Sequence, residues 1–142
     1  MIEKTVAEIA AALNAGDISS VELTQAYLDR ITRFNDDLNA FITVCSDSAL
    51  GQAKKADEKR TKGDTSPLLG IPLAHKDIFC TKGVTTSCGS RMLLNFVAPY
   101  DATIVEKFYQ AGAVMLGKTN MDEFAMGSSN ATRYFGPANN PW

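Results

Sequence analysis

Three places in the chain gather side chains able to do chemistry. The first is His75-Lys76-Asp77, an imidazole, an amine and a carboxylate in a row after the apolar run that ends at Leu73-Ala74. A triad in which His75 activates a serine and Asp77 orients it is disfavoured, because alternate strand residues point to opposite faces and neighbours do not line up in series. Lys76 can instead be a base: burial against the apolar strand disfavours its ammonium form and moves its pKa from about 10.4 toward the operating pH. Asp77 opposes that shift unless it faces away. The plain alternative is a surface ion pair between Lys76 and Asp77 with no catalytic task.

The second place is Met126-Gly127-Ser128-Ser129-Asn130. A glycine beside small hydroxyl and amide groups lets backbone approach a small polar ligand. A serine near a neutral lysine is also a workable nucleophile and base. The same residues are good turn formers, so a simple turn stays open. The third place, Gly112 to Thr119, satisfies the letters of a phosphate-binding loop, G-x-x-x-x-G-K-T. Such a loop needs a strand before its first glycine and free amides to wrap a phosphate. Here a helix precedes Gly112 and Ala113 to Leu116 read as a strand, which commits those amides to a sheet ladder. Cys45, Cys80 and Cys88 lack C-x-x-C spacing and His75 is the single histidine, which argues against a metal site. Without a secretion signal, the three thiols are expected to be reduced and mostly buried.

The elements that position these residues follow from periodicity. Thr5-x-x-Glu8 and Ser19-x-x-Glu22 are capping boxes. The first opens a helix with Ile2, Val6, Ile9 and Leu13 on one face and a stop at Asn14 to Gly16; the second opens a helix continuing through Tyr27, Leu28, Ile31 and Phe34. Residues 40–44, AFITV, form a short β-rich run, followed by a cap at Ser46 or Asp47 and an Ala- and Lys-rich helix to about Thr61. A surface loop, Lys62 to Pro67, leads to an apolar strand over Leu68 to Ala74 and a long polar loop over Gly83 to Ser90. A helix capped at Thr103, with Ile104, Val105, Phe108 and Ala111 inward, ends at Gly112 before the next strand. Strand, helix and strand in that order imply a crossover and parallel pairing. The class is α/β: N-terminal helices, residues 1–66, packed on a mixed, partly parallel β-sheet with flanking helices that begins at residue 67.

The 142 residues suit one domain, and 45% hydrophobic with 21% charged residues excludes a disordered chain. Fourteen basic residues against sixteen acidic ones, scattered along the chain, lack the basic footprint of nucleic-acid binding. Any contact with RNA is expected to come through a partner. No run approaches the roughly 20 apolar residues that span a bilayer. The first residues do not read as a signal peptide, so a cytoplasmic location is expected.

Longer motifs add to this. LGIPLAHKD at 69–77, TSCGSRML at 86–93, YDAT at 100–103 and GAVMLGKTNMDEFAMGSSN at 112–130 closely resemble the amidase signature family, as do Phe135-Gly136-Pro137 and Asn140-Pro141-Trp142. Within it the chain is most similar to the glutamine-hydrolysing subunits of tRNA-dependent amidotransferases, the N-terminal helices included. The resemblance implies a Lys, cis-Ser, Ser triad that releases ammonia from glutamine. A companion subunit uses that ammonia to transamidate misacylated Glu-tRNA(Gln) or Asp-tRNA(Asn). It further implies a heterotrimer, ATP used through a partner subunit, no cofactor in this chain and tRNA met only through the partner. Lys76 matches the lysine of the triad. Met126, Gly127, Ser128 and Ser129 match the lining of the family's substrate site rather than its nucleophile. Both family serines follow the Asn-Pro-Trp motif, at which this sequence stops, so residues 1–142 are expected to be the N-terminal part of one amidase domain and inactive alone. The alternatives are an amidase for other small amides, or a complete non-catalytic interaction module.

Overall fold

The structure, a computed structural model, describes residues 3–130 and 134–142. Val6–Ala15 forms α1, Ser20–Leu38 α2, Ser46–Thr61 α3 and Thr103–Gln110 α4; the strands are Phe41–Val44 (β1), Pro72–Lys76 (β2) and Val114–Thr119 (β3). Both capping boxes form. The Glu8 carboxylate accepts from the Thr5 amide at 2.7 Å while Thr5 Oγ1 accepts from the Glu8 amide, and Glu22 and Ser19 repeat the pattern. These contacts satisfy amides that a helix start leaves without an intrahelical acceptor.

Two compact units can be separated. The first combines the chain up to Ile31 with Cys45–Leu73 and Lys107–Leu116; the second combines Thr32–Val44, Ala74–Glu106 and the chain from Gly117 onward. In the first, Ile9 and Leu13 of α1, Leu23 of α2 and Ile71 make a buried cluster. Val6, placed on that face by spacing, is exposed, and Ile2 lies outside the described residues. Ala49, Ala53 and Ala56 form the buried stripe of α3, whose small side chains allow close approach. The Asp57 carboxylate of α3 accepts from the amides of Ser20 and Val21 at 2.7 and 3.1 Å, so a second element caps α2 as well. The residue before α3 is Cys45, which makes no side-chain cap, so neither Ser46 nor Asp47 holds the capping position expected of it.

The sheet has the order β1-β3-β2. The Val114 amide donates to Ile71 O and the Asp77 amide to Thr119 O, so β2 and β3 advance in the same direction and are parallel. β1 pairs with β3 antiparallel, Phe41 opposite Thr119 and Val44 opposite Gly117, which makes the sheet mixed. Gly117 permits this pairing: a Cβ there would collide with the Thr43 carbonyl oxygen. β2 starts later than the apolar run because the amides of Leu69 and Ile71 close turns onto Ser66 and Leu68. Leu69 is nonetheless buried, serving the core from a turn. β3 runs on through Thr119, three residues beyond its expected end. In α4, Val105 is fully buried while Ile104 is exposed. The polar loop is not solvated throughout: Thr86, Ser87 and Ser90 are buried, and Thr85 bridges Val97.

Candidate active site

The last residues of β2 and the one that follows them keep the alternation of strand geometry. His75 and Asp77 are buried, whereas Lys76 between them is exposed. The desolvation expected for Lys76 is therefore absent from these residues. The alternative surface pair fails too, because Asp77 faces away, is inaccessible to solvent and pairs with Lys118.

Lys76 opens onto a cleft of about 470 Å³ lined also by Asn120, Met121, Asp122, Gly127, Ser128, Ser129 and Asn130. The two regions singled out in the sequence, separated by about fifty residues, thus share one cavity. Met126 does not: it is 84% exposed and outside the lining. The far wall is built around Asp122, whose carboxylate accepts from the Asn130 amide at 2.8 Å. Gly127 sits so close to it that a Cβ would lie 2.6 Å from Asp122 Cγ. Phe124, Ala125 and Asn130 have φ of 51°, 61° and 53°, a left-handed backbone that L-residues enter at a cost. Asn120 fixes the entry to this segment, donating from its side chain to the carbonyls of Asn39 and Gly136 at 3.0 Å each.

On the buried face, Lys118 Nζ lies 3.5 Å from Asp77 Oδ1 and donates to Phe79 O at 2.7 Å and to Thr86 Oγ1 at 3.1 Å. Asp77 Oδ2 accepts from Ser87 Oγ at 2.5 Å and from the Ser87 amide at 3.0 Å. Burial pushes the Lys118 pKa down, and the Asp77 carboxylate opposes that shift. His75 is likewise held below its ordinary value by burial and by the Lys118 cation. The Cys88 thiol is pushed up by burial and by Asp77. Lys118 is the lysine of the G-x-x-x-x-G-K-T letters. Its Nζ is spent inside the protein and its neighbours lie in β3, so this segment has no phosphate cradle. Residue types alone point Lys118 only toward phosphate. The signal for its true setting is its place in a strand otherwise apolar. Cys45, Cys80 and Cys88 are unbridged and half-buried rather than buried.

The arrangement supplies an accessible primary amine facing a polar, backbone-rich wall. Its amine can take or give a proton beside a small polar substrate. The family model for amidases matches residues 22–142. The chain belongs to the amidase family. This amidase chain is 65% identical over all its 142 residues to a glutamyl-tRNA(Gln) amidotransferase subunit of Methylococcus capsulatus and 61% to the corresponding protein of Thioalkalivibrio sulfidiphilus. It spans 29% of the length of each. Among solved structures, the same glutamyl-tRNA(Gln) amidotransferase subunit from Thermotoga maritima matches 87% of this chain and 25% of its own, with a TM-score of 0.69 and 37% identity. The peptide amidase of Stenotrophomonas maltophilia matches 98% of this chain and 30% of its own, with a TM-score of 0.86 and 38% identity. Among the described residues no helix of this amidase chain is long and apolar enough to cross a membrane.

Proposed function

We propose that this chain is the lysine-bearing part of a glutamine-hydrolysing amidotransferase subunit, with Lys76 as the base of its triad. The observation that carries the reading is the 61–65% identity, over the whole chain, to glutamyl-tRNA(Gln) amidotransferase subunits from two bacteria. The preference for glutamine over other small amides rests on that identity alone, since the solved peptide amidase and the solved amidotransferase subunit, at 38% and 37%, are equally alike to this chain. That degree of likeness also disfavours a non-catalytic interaction module.

In this reading the neutral Lys76 amine takes a proton from a bridging serine, which takes one from the serine that attacks the amide carbonyl. The proton held by the lysine returns through the bridging serine to the amide nitrogen, ammonia leaves, and water, deprotonated by the same relay, then hydrolyses the acyl-serine. The serines come from sequence beyond these 142 residues, which alone release no ammonia. Gly127, Ser128 and Ser129 line the substrate side. The ammonia passes to a companion subunit of a heterotrimer, which uses ATP to activate the misacylated tRNA in the cytoplasm; tRNA contacts lie on the partner.

The test is ammonia release from glutamine by the full-length protein, assembled with its partners, carrying Lys76→Ala or Lys76→Arg. Both are expected to lose turnover, since a guanidinium stays protonated at any working pH. Near-normal turnover by Lys76→Arg would remove Lys76 from the mechanism. A preference for a peptide amide over glutamine in the parent would overturn the substrate assignment.

A further inference from the structure

Lys118 is fully buried, yet nothing in the proposed chemistry uses it. Its contacts converge on the turn that begins at Lys76. The Phe79 amide donates to Lys76 O at 3.0 Å, closing a turn over residues 76–79. Lys118 Nζ holds two members of that turn, the Asp77 carboxylate and the Phe79 carbonyl. Asp77 in turn anchors the 87–89 segment, through Ser87 and through the Gly89 amide at 3.5 Å. Its own amide donates to Thr119 O, the residue beside Lys118. The backbone on the C-terminal side of Lys76 is thus tied to β3 twice, once through the ladder and once through the lysine.

A buried ion pair is weak evidence for stability, because desolvation of both charges offsets much of their attraction, and apolar residues of similar volume often do as well. Here the contacts of the pair fix positions: one ammonium spans the Asp77 carboxylate and the Phe79 carbonyl of the same turn. Resting on the reading of Lys76 as the base, we propose that Lys118 is a positioning residue: together with Asp77 it locks the 76–79 turn so that the Lys76 amine is held at the cleft. A reacting group displaced by about 1 Å can lose on the order of a hundredfold in rate, so the lock bears on kcat. Lys118 does not line the cleft, so KM is expected to be spared.

The experiment compares Lys118→Met, Asp77→Asn and the double variant in the full-length protein assembled with its partners, with Lys76→Ala beside them. Each single variant leaves one buried group without its opposite charge, so each is expected to melt at a lower temperature than the parent. The double variant removes both charges and is expected to recover most of that loss. Its kcat for glutamine hydrolysis is nevertheless expected to stay at least tenfold below the parent, with KM within about threefold. A residue serving stability alone would let kcat recover with the melting temperature. Recovery of kcat to within threefold of the parent overturns the proposal, as does a double variant that fails to fold, since charge compensation then does not operate. Loss of activity in Lys76→Ala together with recovered kcat in the double variant strikes only the lock. Retained activity in Lys76→Ala strikes the reading beneath it.

Discussion

Lys76 and Asp77, adjacent in the chain, point to opposite faces at the end of β2: the lysine is exposed on the cleft, and the aspartate is sealed from solvent against Lys118. A one-residue slip of the strand would exchange them, placing a carboxylate on the cleft and an amine in the interior. The parallel ladder to β3, with Thr119 O accepting from the Asp77 amide, sets that register. The exposure of Lys76 on the cleft therefore depends on pairing made over forty residues away.

Because Lys76 is exposed and Asp77 is paired elsewhere, replacing the lysine leaves the fold nearly untouched. Lys76→Ala is expected to change stability by no more than about 0.5 kcal/mol, as for surface positions without special contacts. Urea unfolding of parent and variant checks this. A loss of several kcal/mol would mean that Lys76 carries structure.

Gly117→Ala is expected to destabilise strongly, because the added Cβ meets the Thr43 carbonyl oxygen of the paired strand, a backbone atom that cannot rotate aside. Overpacking of this kind costs about 1–3 kcal/mol, and backbone contact puts this case at the upper end. The readout is the urea midpoint. An unchanged midpoint would contradict the β1–β3 register.

At the cleft, Gly127→Ala drives a methyl group against the Asp122 side chain. The 127–130 wall is expected to shift and, on the proposed reading of the cleft as a glutamine site, to raise KM for glutamine in the full-length protein by tenfold or more while the melting temperature moves little. Steady-state kinetics with thermal melts separate the two effects.

His75 gives stability a pH dependence of definite sign. Burial and the Lys118 cation hold its folded pKa below the ordinary 6.5, so at pH values under about 6.5 the unfolded chain binds more protons than the folded one. Stability is therefore expected to fall as pH drops from 6.5 toward the folded pKa. His75→Gln should flatten that part of the profile, and unfolding midpoints at pH 7.5 and 5.5 measure it. An identical slope in the variant would assign the effect to other groups.

Asp57→Ala removes the acceptor for two amides in the first turn of α2. A loss of about 1–3 kcal/mol is expected, the range for part-buried donors left without a partner. Circular dichroism during urea unfolding reports it.

Local chemistry was legible from the residues. Thr5 and Ser19 each find their glutamate three residues on, and reciprocal capping needs no distant partner. Ile9 and Leu13 are buried because 3.6-residue spacing puts them on one face of α1. The Gly-Ser-Ser segment stands out by its residue types, and Lys76 by its neighbours and the amidase motifs around it.

Tertiary structure decided the rest, because those outcomes depend on partners remote in sequence. The apolar run at 68–74 reads the same as a strand or as a turn, and the turns onto Ser66 and Leu68 moved β2 to Pro72–Lys76. Asp77 had an equal claim, by sequence, on the lysine beside it, but strand alternation and the parallel neighbour gave it to Lys118, 41 positions on. Lys118 itself carried the letters of a phosphate loop. It became a buried tie because β3 absorbed its backbone into the sheet, where main-chain hydrogen bonds and burial outweigh any resemblance of letters.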